Sequence, residues 1–416
     1  MLLKAFFLLS ALSHGAFSTS SGSNSDKVVT SNSRGVKGAA YLISNEADGN
    51  YVIASNIGSD GKLTVARAVY AGGAGAHGND NGPVGTDPFF SQGSVQVSHS
   101  NNILATVNAG SNTVSIFKIN PENPSELSLH GKPVNSGGDF PISVAFNKQG
   151  DTLCVLNGGQ NNGINCYRID PFFGLVPKSN TKRSLGLPRT NPPSGPPGSL
   201  SQIIFSEDDR YVVVSVKGNT APGFLAVWDV YAGGSLSQEY TKISTKAGGM
   251  LPFSLTVIPG ADALLGTDPA IGYETWDLSN VQKAANSSRT TAVAVPGQQA
   301  HCWSTYSYKT GNYYLVDAGA NSVTEISLDN SLKGTVVKQY PQQANSATLD
   351  PAVASINGND YLYVLLARAL SIQVLALQGP GQATSLQTLD FGDALQKAGL
   401  HIDAVNLTGM ATYVRA

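Results

Sequence analysis

Charge is scarce in this sequence. Only 13% of its 416 residues are Asp, Glu, Lys or Arg, and the formal net charge is -2. Proteins that bind nucleic acids or anionic membranes electrostatically present a concentrated positive surface, and this composition does not supply one. We therefore expect no nucleic-acid partner.

Long apolar segments are also missing. None approaches the roughly 20 apolar residues that a transmembrane helix needs, so we expect no membrane span. The first residues, "MLLKAFFLLSALSHGAFSTS", place one lysine before a short apolar stretch and then small residues, which is typical of a secretory signal peptide. We predict a signal peptide over residues 1–18 and a flexible Ser-rich leader over residues 19–38. The protein is then secreted, extracellular or cell-wall-associated.

The motifs that usually mark a metal or a nucleotide are absent. The sequence contains no HExxH or paired-cysteine motif, no strand-to-helix glycine loop for phosphates and no Gly-x-Ser-x-Gly elbow. We expect neither a metal nor another cofactor.

Three cysteines are too few for a framework of disulfides. Cys154 and Cys166 flank one predicted hairpin turn at mirror positions, where cross-strand neighbours are close enough to bridge. Two reduced core cysteines are the alternative, and Cys302 stays unpaired in both cases. In a secreted protein, the Asn-x-Ser/Thr sequences at Asn286 and Asn406 are candidate glycosylation sites.

What the sequence has in quantity is a repeated hairpin. "LATVNAGSNTVSIFKIN" from Leu104 is one of seven similar stretches, each with two alternating apolar runs around a small polar turn. The first turn residues of the seven copies are Asn45, Asn108, Asn157, Lys217, Asp268, Asp317 and Ala367. A further strand precedes and another follows each hairpin, and helical periodicity is confined to a turn or two near "DALQKAGL".

Four antiparallel strands in each repeat of about 50 residues are the signature of a β-propeller blade. We predict an all-β, seven-bladed propeller formed by residues 39–416 as a single domain. The first repeat lacks an innermost strand, and the chain ends with the strand-like "GMATYVRA". This C-terminal strand is expected to complete the first blade and close the ring, which removes exposed strand edges.

The repeats resemble those of a known family. "LATVNAGSNTVSIFKIN" and "YLVDAGANSVTEISLD" are similar to the repeats of the seven-bladed lactonase family, which includes bacterial phosphogluconolactonase and fungal carboxymuconate cyclase. "GPVGTDPFFSQGSVQVS" in particular resembles secreted fungal members of the isomerase-like branch. The resemblance implies a propeller that acts on a small lactone or carboxylic acid.

Catalytic members of that family carry a histidine before one innermost strand, a Gly-Pro-Arg-His motif before another, and a glutamate in the next hairpin turn. Here the first position lacks histidine, residues 250–253 read "MLPF" at the second, and Asp268 occupies the glutamate position, or Thr267 if the alignment shifts by one. One histidine, His301, does stand before an innermost strand. We therefore consider His301 and Asp268 the catalytic candidates, His301 moving a proton and Asp268 acting as base or orienting it. A structural histidine is the alternative.

Propeller geometry brings the hairpin turns and the segments that lead into the innermost strands to one face around the central channel. We predict a polar funnel there, with substrate-binding residues on its rim. These residues are Gln92, Asn108, Asn157, Lys217, Asp317 and Arg368, and Asp139, His401 and Asp403 reach the same rim.

Two long insertions interrupt the repeats. Residues 71–94 are Gly-rich and lie on the funnel face, so they can form a lid that brings His77 or Asp87 to the mouth. The alternative is a structural loop that packs Phe89 and Phe90. The second insertion, residues 186–199, is Pro-rich and is predicted to be a surface loop. Just before it, Lys182 and Arg183 form either a processing site or a solvated basic pair.

Two functions remain open from the sequence. The protein is either a secreted lactonase or lactonizing cyclase, or a non-catalytic secreted or wall-associated propeller that binds glycan or another partner. We expect a monomer in both cases.

Overall fold

Seven antiparallel sheets surround a central channel. The computed structural model describes residues 24–31 and 34–415, and this part of the chain contains seven blades of four main strands each. The predicted all-β, seven-bladed fold is confirmed. The predicted signal peptide, residues 1–18, lies outside the described residues.

The strands of each blade run outward from the channel in antiparallel order. The innermost strands of blades 1 to 7 are Thr408–Val414, Val95–Ser98, Pro141–Phe146, Leu200–Phe205, Leu255–Ile258, His301–Ser307 and Thr348–Ile356. The second strands are Gly38–Ile43, Ile103–Asn108, Thr152–Asn157, Tyr211–Val216, Ala263–Asp268, Asn312–Asp317 and Asn359–Leu366. The third strands are Tyr51–Ile57, Thr113–Ile119, Gly163–Asp170, Phe224–Asp229, Gly272–Asp277, Ser322–Leu328 and Ser371–Leu377. The outer strands are Leu63–Tyr70, Leu127–Leu129, Gly174–Pro177, Thr241–Ser244, Thr291–Ala294, Gly334–Pro341 and Ala383–Asp390.

Short elements supplement the blades. Val134–Asn135 and Arg183–Ser184 pair with the third strands of blades 2 and 3 beyond their outer strands. The α-helix Gly392–Lys397 falls where the sequence indicates a helical turn, and 3-10 turns occupy Ala109–Ser111, Val281–Asn286 and Ala367–Ala369. No helix among these residues is long and apolar enough to cross a membrane.

Part of the predicted leader is an added edge strand. Lys27–Val28 pairs with the outer strand of blade 1, with Lys27 opposite Ala68, and the Val29 amide donates to the Ala66 carbonyl over 2.8 Å. The expectation of a flexible segment is therefore wrong for these residues. A strand of two residues is too short to show the alternation by which a strand is found in a sequence.

The C-terminal strand closes the ring as predicted. Thr408–Val414 is the innermost strand of blade 1 and pairs with Gly38–Ile43, placing Gly38 opposite Val414. The contact is close, because a Cβ at Gly38 would lie 2.2 Å from the Tyr413 carbonyl oxygen. Glycine is thus required where the two ends of the chain meet.

The core lies between neighbouring blades. Trp228, Trp276 and Trp303 are fully buried there, among β-branched and aliphatic side chains of the strand interiors. Buried tyrosines join adjacent blades by hydrogen bonds, as in Tyr363, whose hydroxyl donates to the Gly61 carbonyl over 2.9 Å. Large apolar side chains and these cross-blade bonds fix the angle between sheets and so the shape of the channel.

Candidate functional site

The residues predicted to surround an open funnel are buried at one end of the channel. Asn108, Asp268 and Asp317 have no exposed surface, and Asn157 and Lys217 are 2% exposed. The prediction that these residues line an open rim is wrong. The sequence places them at the ends of the second strands, but it does not show what covers those ends.

Asp268 is fully used by the backbone. Its carboxylate accepts hydrogen bonds from the amides of Met250 over 2.6 Å, Leu251 over 2.9 Å and Ala270 over 2.8 Å. Asp317 repeats this pattern in blade 6 with the amides of Gln299, Ala300 and Ala320. Each aspartate therefore fastens the chain that leads into its own blade, and backbone donors offset the cost of burying the charge.

His301 is also buried at this end of the channel. Its ring has no exposed surface, Nε2 lies 2.9 Å from the Thr324 hydroxyl oxygen, and Nδ1 has no hydrogen-bond partner in the described part of the chain. Burial lowers the pKa of His301 to about 4, although Asp317, 3.9 Å away, opposes this shift. His301 is neutral at pH 7 and has no access to a ligand here, so the structure does not support its predicted role in proton transfer.

Glu274 is a residue that sequence reasoning missed. It lies inside the third strand of blade 5, fully buried and next to Asp268. Burial raises the pKa of Glu274 to about 10, and the nearby negative charge of Asp268 acts in the same direction. Glu274 therefore keeps its proton at neutral pH, although its carboxyl oxygens have no hydrogen-bond partner among the described residues. The signal was available, since Glu274 occupies a core-facing position in "GYETWD".

The two insertions together cover this end of the channel. The Asn79 amide donates to the Pro193 carbonyl over 2.8 Å, and the Gly195 amide donates to the Asn79 carbonyl over 3.0 Å. We call residues 71–94 and 186–199 the cap. Phe89 and Phe90, 0% and 1% exposed, pack beneath it. The insertion thus buries its two phenylalanines, as the structural-loop alternative predicts, and covers the channel, while Asp87 is buried and does not stand at an open mouth.

Lys217 holds the cap in place. Its Nζ donates to the carbonyl oxygens of Phe90 over 2.5 Å and Leu200 over 3.1 Å, and it lies 4.3 Å from the centre of the Phe253 ring. Burial lowers the pKa of Lys217 to about 7, and the negative charge of Asp87 opposes this shift. Lys217 was predicted to bind substrate, but its donors are occupied by the protein.

The remaining predicted rim residues are dispersed. His77 lies inside the cap, with Nδ1 2.8 Å from the Gly78 carbonyl oxygen and Nε2 3.2 Å from that of Gly85. Arg368 is exposed and donates to the Asn345 carbonyl over 3.3 Å. His401 and Asp403 are exposed, outside the channel. The basic pair is also not as predicted, because the Arg183 guanidinium is buried and bonds three acceptors of residues 180–182 and two of residues 236–237.

The channel is open at its other end. There the innermost strands of all seven blades enclose a cavity of about 660 Å³, which we call the chamber. Its mouth is formed by the turns after the innermost strands of blades 2 and 3, with His99, Ser100, Asn147 and Lys148. The chamber therefore opens on the face opposite the cap.

Gln92 forms the floor of the chamber. Its Nε2 donates to the Ser304 carbonyl over 2.9 Å, and its Oε1 accepts from the Ser304 amide over 3.1 Å. This pair spans the channel from the segment before blade 2 to blade 6. Of the predicted substrate-binding residues, Gln92 is the one that lines the chamber.

A chain of hydroxyl groups reaches the chamber wall. Thr267 donates to the Cys302 carbonyl over 2.6 Å, and because a carbonyl only accepts, Thr267 must in turn accept from Ser254, 2.7 Å away. Ser254 then accepts from Ser304 over 2.7 Å, and Ser304 accepts from Thr256 over 2.8 Å. The direction is fixed, so the lone pairs of Thr256 face the chamber as an acceptor.

Two other polar side chains of the wall are uncharged and available for hydrogen bonds to a ligand. Within the described range the side chains of Gln96 and Thr305 line the chamber and form no hydrogen bond. Among the lining residues the titratable groups are His99 and Lys148, both at the mouth. His99 is exposed at the mouth and its ring stacks on Tyr413, and partial desolvation by the surrounding protein lowers the pKa of His99. The chamber can thus bind a neutral ligand that both donates and accepts hydrogen bonds.

The described residues also contain the predicted hairpin pair of cysteines as a disulfide. Cys154 and Cys166 are directly opposite each other in blade 3, with a Cα separation of 4.0 Å, and they are bonded. Cys302 is a buried free thiol. No group of three or more acidic, His or Cys side chains in the described ranges is arranged to hold a metal. At the predicted glycosylation sites, Asn286 is exposed, whereas the Asn406 amide donates to Glu46.

Comparison with known proteins agrees with the fold. The sequence model of the family described as "Lactonase, 7-bladed beta-propeller" matches residues 14–190, which supports a relationship to the lactonase propellers. No curated protein matches the chain.

Three similar solved structures each superpose with a TM-score of 0.61. The periplasmic gluconolactonase of Pseudomonas aeruginosa has 16% identity, over 85% of this chain and 96% of its own. A Bacteroides fragilis protein provisionally named 6-phosphogluconolactonase has 13% identity, over 90% and 98%. A Bacteroides uniformis protein with the same provisional name has 14% identity, over 85% and 97%. At these identities the likeness shows the fold alone.

Proposed function

We propose that this protein is a lactonase-like propeller that takes a small lactone into the chamber. The observation that carries the proposal is the neutral wall at the open end of the channel, with Thr256 as a directed acceptor and Gln96 and Thr305 free. A volume of about 660 Å³ lies within the roughly 300–1,000 Å³ usual for small-ligand sites. The family match and the gluconolactonase of similar fold indicate the ligand class.

The chemistry of a sugar lactone suits this wall. Its ring hydroxyls can donate to Thr256, and its carbonyl oxygen can accept from the Gln96 amide. In hydrolysis, water adds to the carbonyl carbon, the ring C–O bond breaks, and the ring oxygen leaves as a hydroxyl. We assign the proton transfer to His99, because a neutral imidazole at the mouth can take a proton from water and return it to the leaving oxygen.

A propeller that binds without turnover is the second candidate. It is favoured by the burial of His301 and Asp268, which leaves both catalytic candidates of the sequence out of reach of the chamber. The two candidates share the ligand site and differ in whether His99 acts on the ligand.

Secretion is part of the proposal. It is supported by the signal-like pattern of residues 1–18 and by the Cys154–Cys166 disulfide, since such bonds persist in oxidising compartments. Membership of the secreted fungal, carboxymuconate cyclase-like branch rests on "GPVGTDPFFSQGSVQVS". A monomer that carries glycan at the exposed Asn286 completes the proposal.

The test combines binding and turnover. Purified protein is titrated calorimetrically with sugar lactones, their hydroxy acids and carboxymuconate, and acid release is followed in a pH-stat. Gln96→Leu should weaken binding about tenfold, whereas Gln343→Leu, an exposed glutamine far along the chain, should not. His99→Gln should abolish turnover and leave binding intact.

Each experimental outcome has one interpretation. Binding without any turnover in the wild type selects the non-catalytic propeller. Turnover that survives His99→Gln removes His99 from its assigned role. Failure of every compound to bind overturns the proposed ligand class.

A further inference from the structure

A second polar cavity lies beside the cap, away from the chamber. It has a volume of about 370 Å³ and is bounded by blades 2 and 3 on the capped face. We call it the side groove. Its lining includes Asp139, Asn157, Asn161, Asn162 and Lys182, with glycines at positions 137, 138 and 163.

The strongest feature of the side groove is an acceptor without a donor. Asn157 is 2% exposed, its Nδ2 donates to the carbonyls of Ser136 over 3.2 Å and Gly163 over 3.5 Å, and its Oδ1 has no partner among the described residues. A buried amide oxygen left unpaired costs stability, so native proteins rarely retain one without a reason.

The neighbouring blade provides an internal comparison. Asn108 occupies the same position in blade 2 and is also buried, but its Oδ1 accepts from the Asn50 amide over 3.0 Å. Its Nδ2 donates to the hydroxyls of Ser115 over 2.9 Å and Thr113 over 3.2 Å. The position can therefore be satisfied completely by the protein, whereas in blade 3 the corresponding Asn157, which lines the side groove, keeps an unpaired acceptor.

Further groups of the groove are available to a ligand. Asp139 uses Oδ2 for the amide and side chain of Asn161, over 3.0 and 2.7 Å, while its Oδ1 forms no hydrogen bond in the described ranges. Lys182 is exposed at the edge. The groove thus presents two acceptors and a cationic donor within one small cavity.

The wall is shaped by backbone. A Cβ at Gly138 would lie 2.4 Å from the Asn161 carbonyl oxygen, and one at Gly163 would lie 2.1 Å from that of Arg183. No larger residue fits at either position without movement of the backbone, so the groove keeps its width. Arg183 contributes backbone here, since its guanidinium is occupied elsewhere.

We propose that the side groove binds a neutral, hexose-sized polyol, such as one sugar unit of a glycan. Hydroxyl groups donate to Asn157 Oδ1 and Asp139 Oδ1, and a third hydroxyl or the ring oxygen accepts from Lys182. An anionic ligand would meet the Asp139 carboxylate and the Asn157 acceptor, whereas a polyol matches both. Because none of these residues lines the chamber, this site is independent of the proposed lactone site.

The test uses the full chain and simple sugars. Methyl glycosides of glucose, mannose, galactose and N-acetylglucosamine are titrated by calorimetry and by saturation-transfer NMR. At least one should bind, Asn157→Leu should weaken that binding about tenfold or more, and the exposed change Lys182→Met should weaken it by a smaller factor.

Two controls separate this site from the chamber and from misfolding. Gln96→Leu changes the chamber and should leave glycoside binding unaltered. If Asn157→Leu does not fold, Asp139→Asn together with Lys182→Met replaces it, since both residues are at least partly exposed. The proposal is overturned if no glycoside binds, or if the groove variants bind it as well as the wild type does.

Discussion

The two ends of the channel are built from the same strands and differ in what covers them. At the capped end, Asp268, Asp317 and Lys217 are buried and bonded to backbone, His301 is buried beside them, and the two insertions cover these residues. At the open end, the wall is made of amide and hydroxyl groups, and the titratable residues stand at the mouth. Buried charge at the capped end therefore fixes strand entries and the cap, while neutral polar groups at the open end leave a surface that a ligand can use.

Opening the ring should have the largest effect, because it disrupts both ends of the channel. Deletion of residues 409–416 removes most of the innermost strand of blade 1 and exposes the edge of Gly38–Ile43. We expect insoluble protein with neither end formed. Soluble protein with a cooperative thermal transition would contradict the closure as described.

Removing the Phe90 ring from the cap should expose the capped end selectively. Phe90→Ala deletes a fully buried ring and is expected to lower the free energy of unfolding by about 3–5 kcal/mol. It should also speed the reaction of the buried Cys302 thiol with a thiol reagent. Phe172→Ala, at a residue that is 84% exposed, is the matched control and should change neither quantity. Unchanged Cys302 reactivity in Phe90→Ala would show that the cap does not shield this end.

The carboxyl pair at the capped end predicts a pH dependence. The pKa of Glu274 rises from 4.5 in the unfolded chain to about 10 in the fold, so between these values the native state holds the extra proton. This contribution to the free energy of unfolding therefore declines as pH rises from about 4.5 to 10. Glu274→Gln should remove the decline and stabilise the protein by about 1–3 kcal/mol at pH 8.

Chemical denaturation at several pH values measures this effect. Glu239→Gln, an exposed glutamate, is the control and should follow the wild-type profile. A Glu274→Gln variant with the wild-type slope would show that Glu274 does not hold the proton.

The smallest effect is expected at an exposed rim residue. Arg368→Ala should change the free energy of unfolding by less than about 0.5 kcal/mol, because the guanidinium makes one long bond at the surface. Ligand binding in the chamber, measured by calorimetry, should also be unchanged. A marked loss of binding would show that the ligand site lies on the capped face and not in the chamber.

The fold was accessible from the sequence because it is repeated. Alternation and turns recur seven times, so an error in one strand does not alter the count, and the lone final strand shows how the ring closes. The symmetry of one hairpin places Cys154 opposite Cys166 but leaves a reduced pair as the alternative, and the structure shows the disulfide. The short strand Lys27–Val28 has no such repetition and was missed.

The site was harder to predict from the sequence, because the burial of a strand end depends on segments that are distant in the chain. Asp268 and Asp317 look like rim ligands in the sequence, and only the chain that passes over them shows that their carboxylates bind amides. The insertions carry no periodicity, so their joint cap could not be derived. The neutral wall was missed because Gln96, Thr256 and Thr305 lie inside innermost strands, and the sequence does not show which strand residues face the channel.

The floor of the chamber belongs to the cap insertion, because Gln92 is two residues from Phe90. A ligand that rests on Gln92 and a displacement of the cap act on the same pair of hydrogen bonds to Ser304. Ligand occupancy of the chamber and the ordering of the cap are thus thermodynamically linked, and each affects the other by the same free energy.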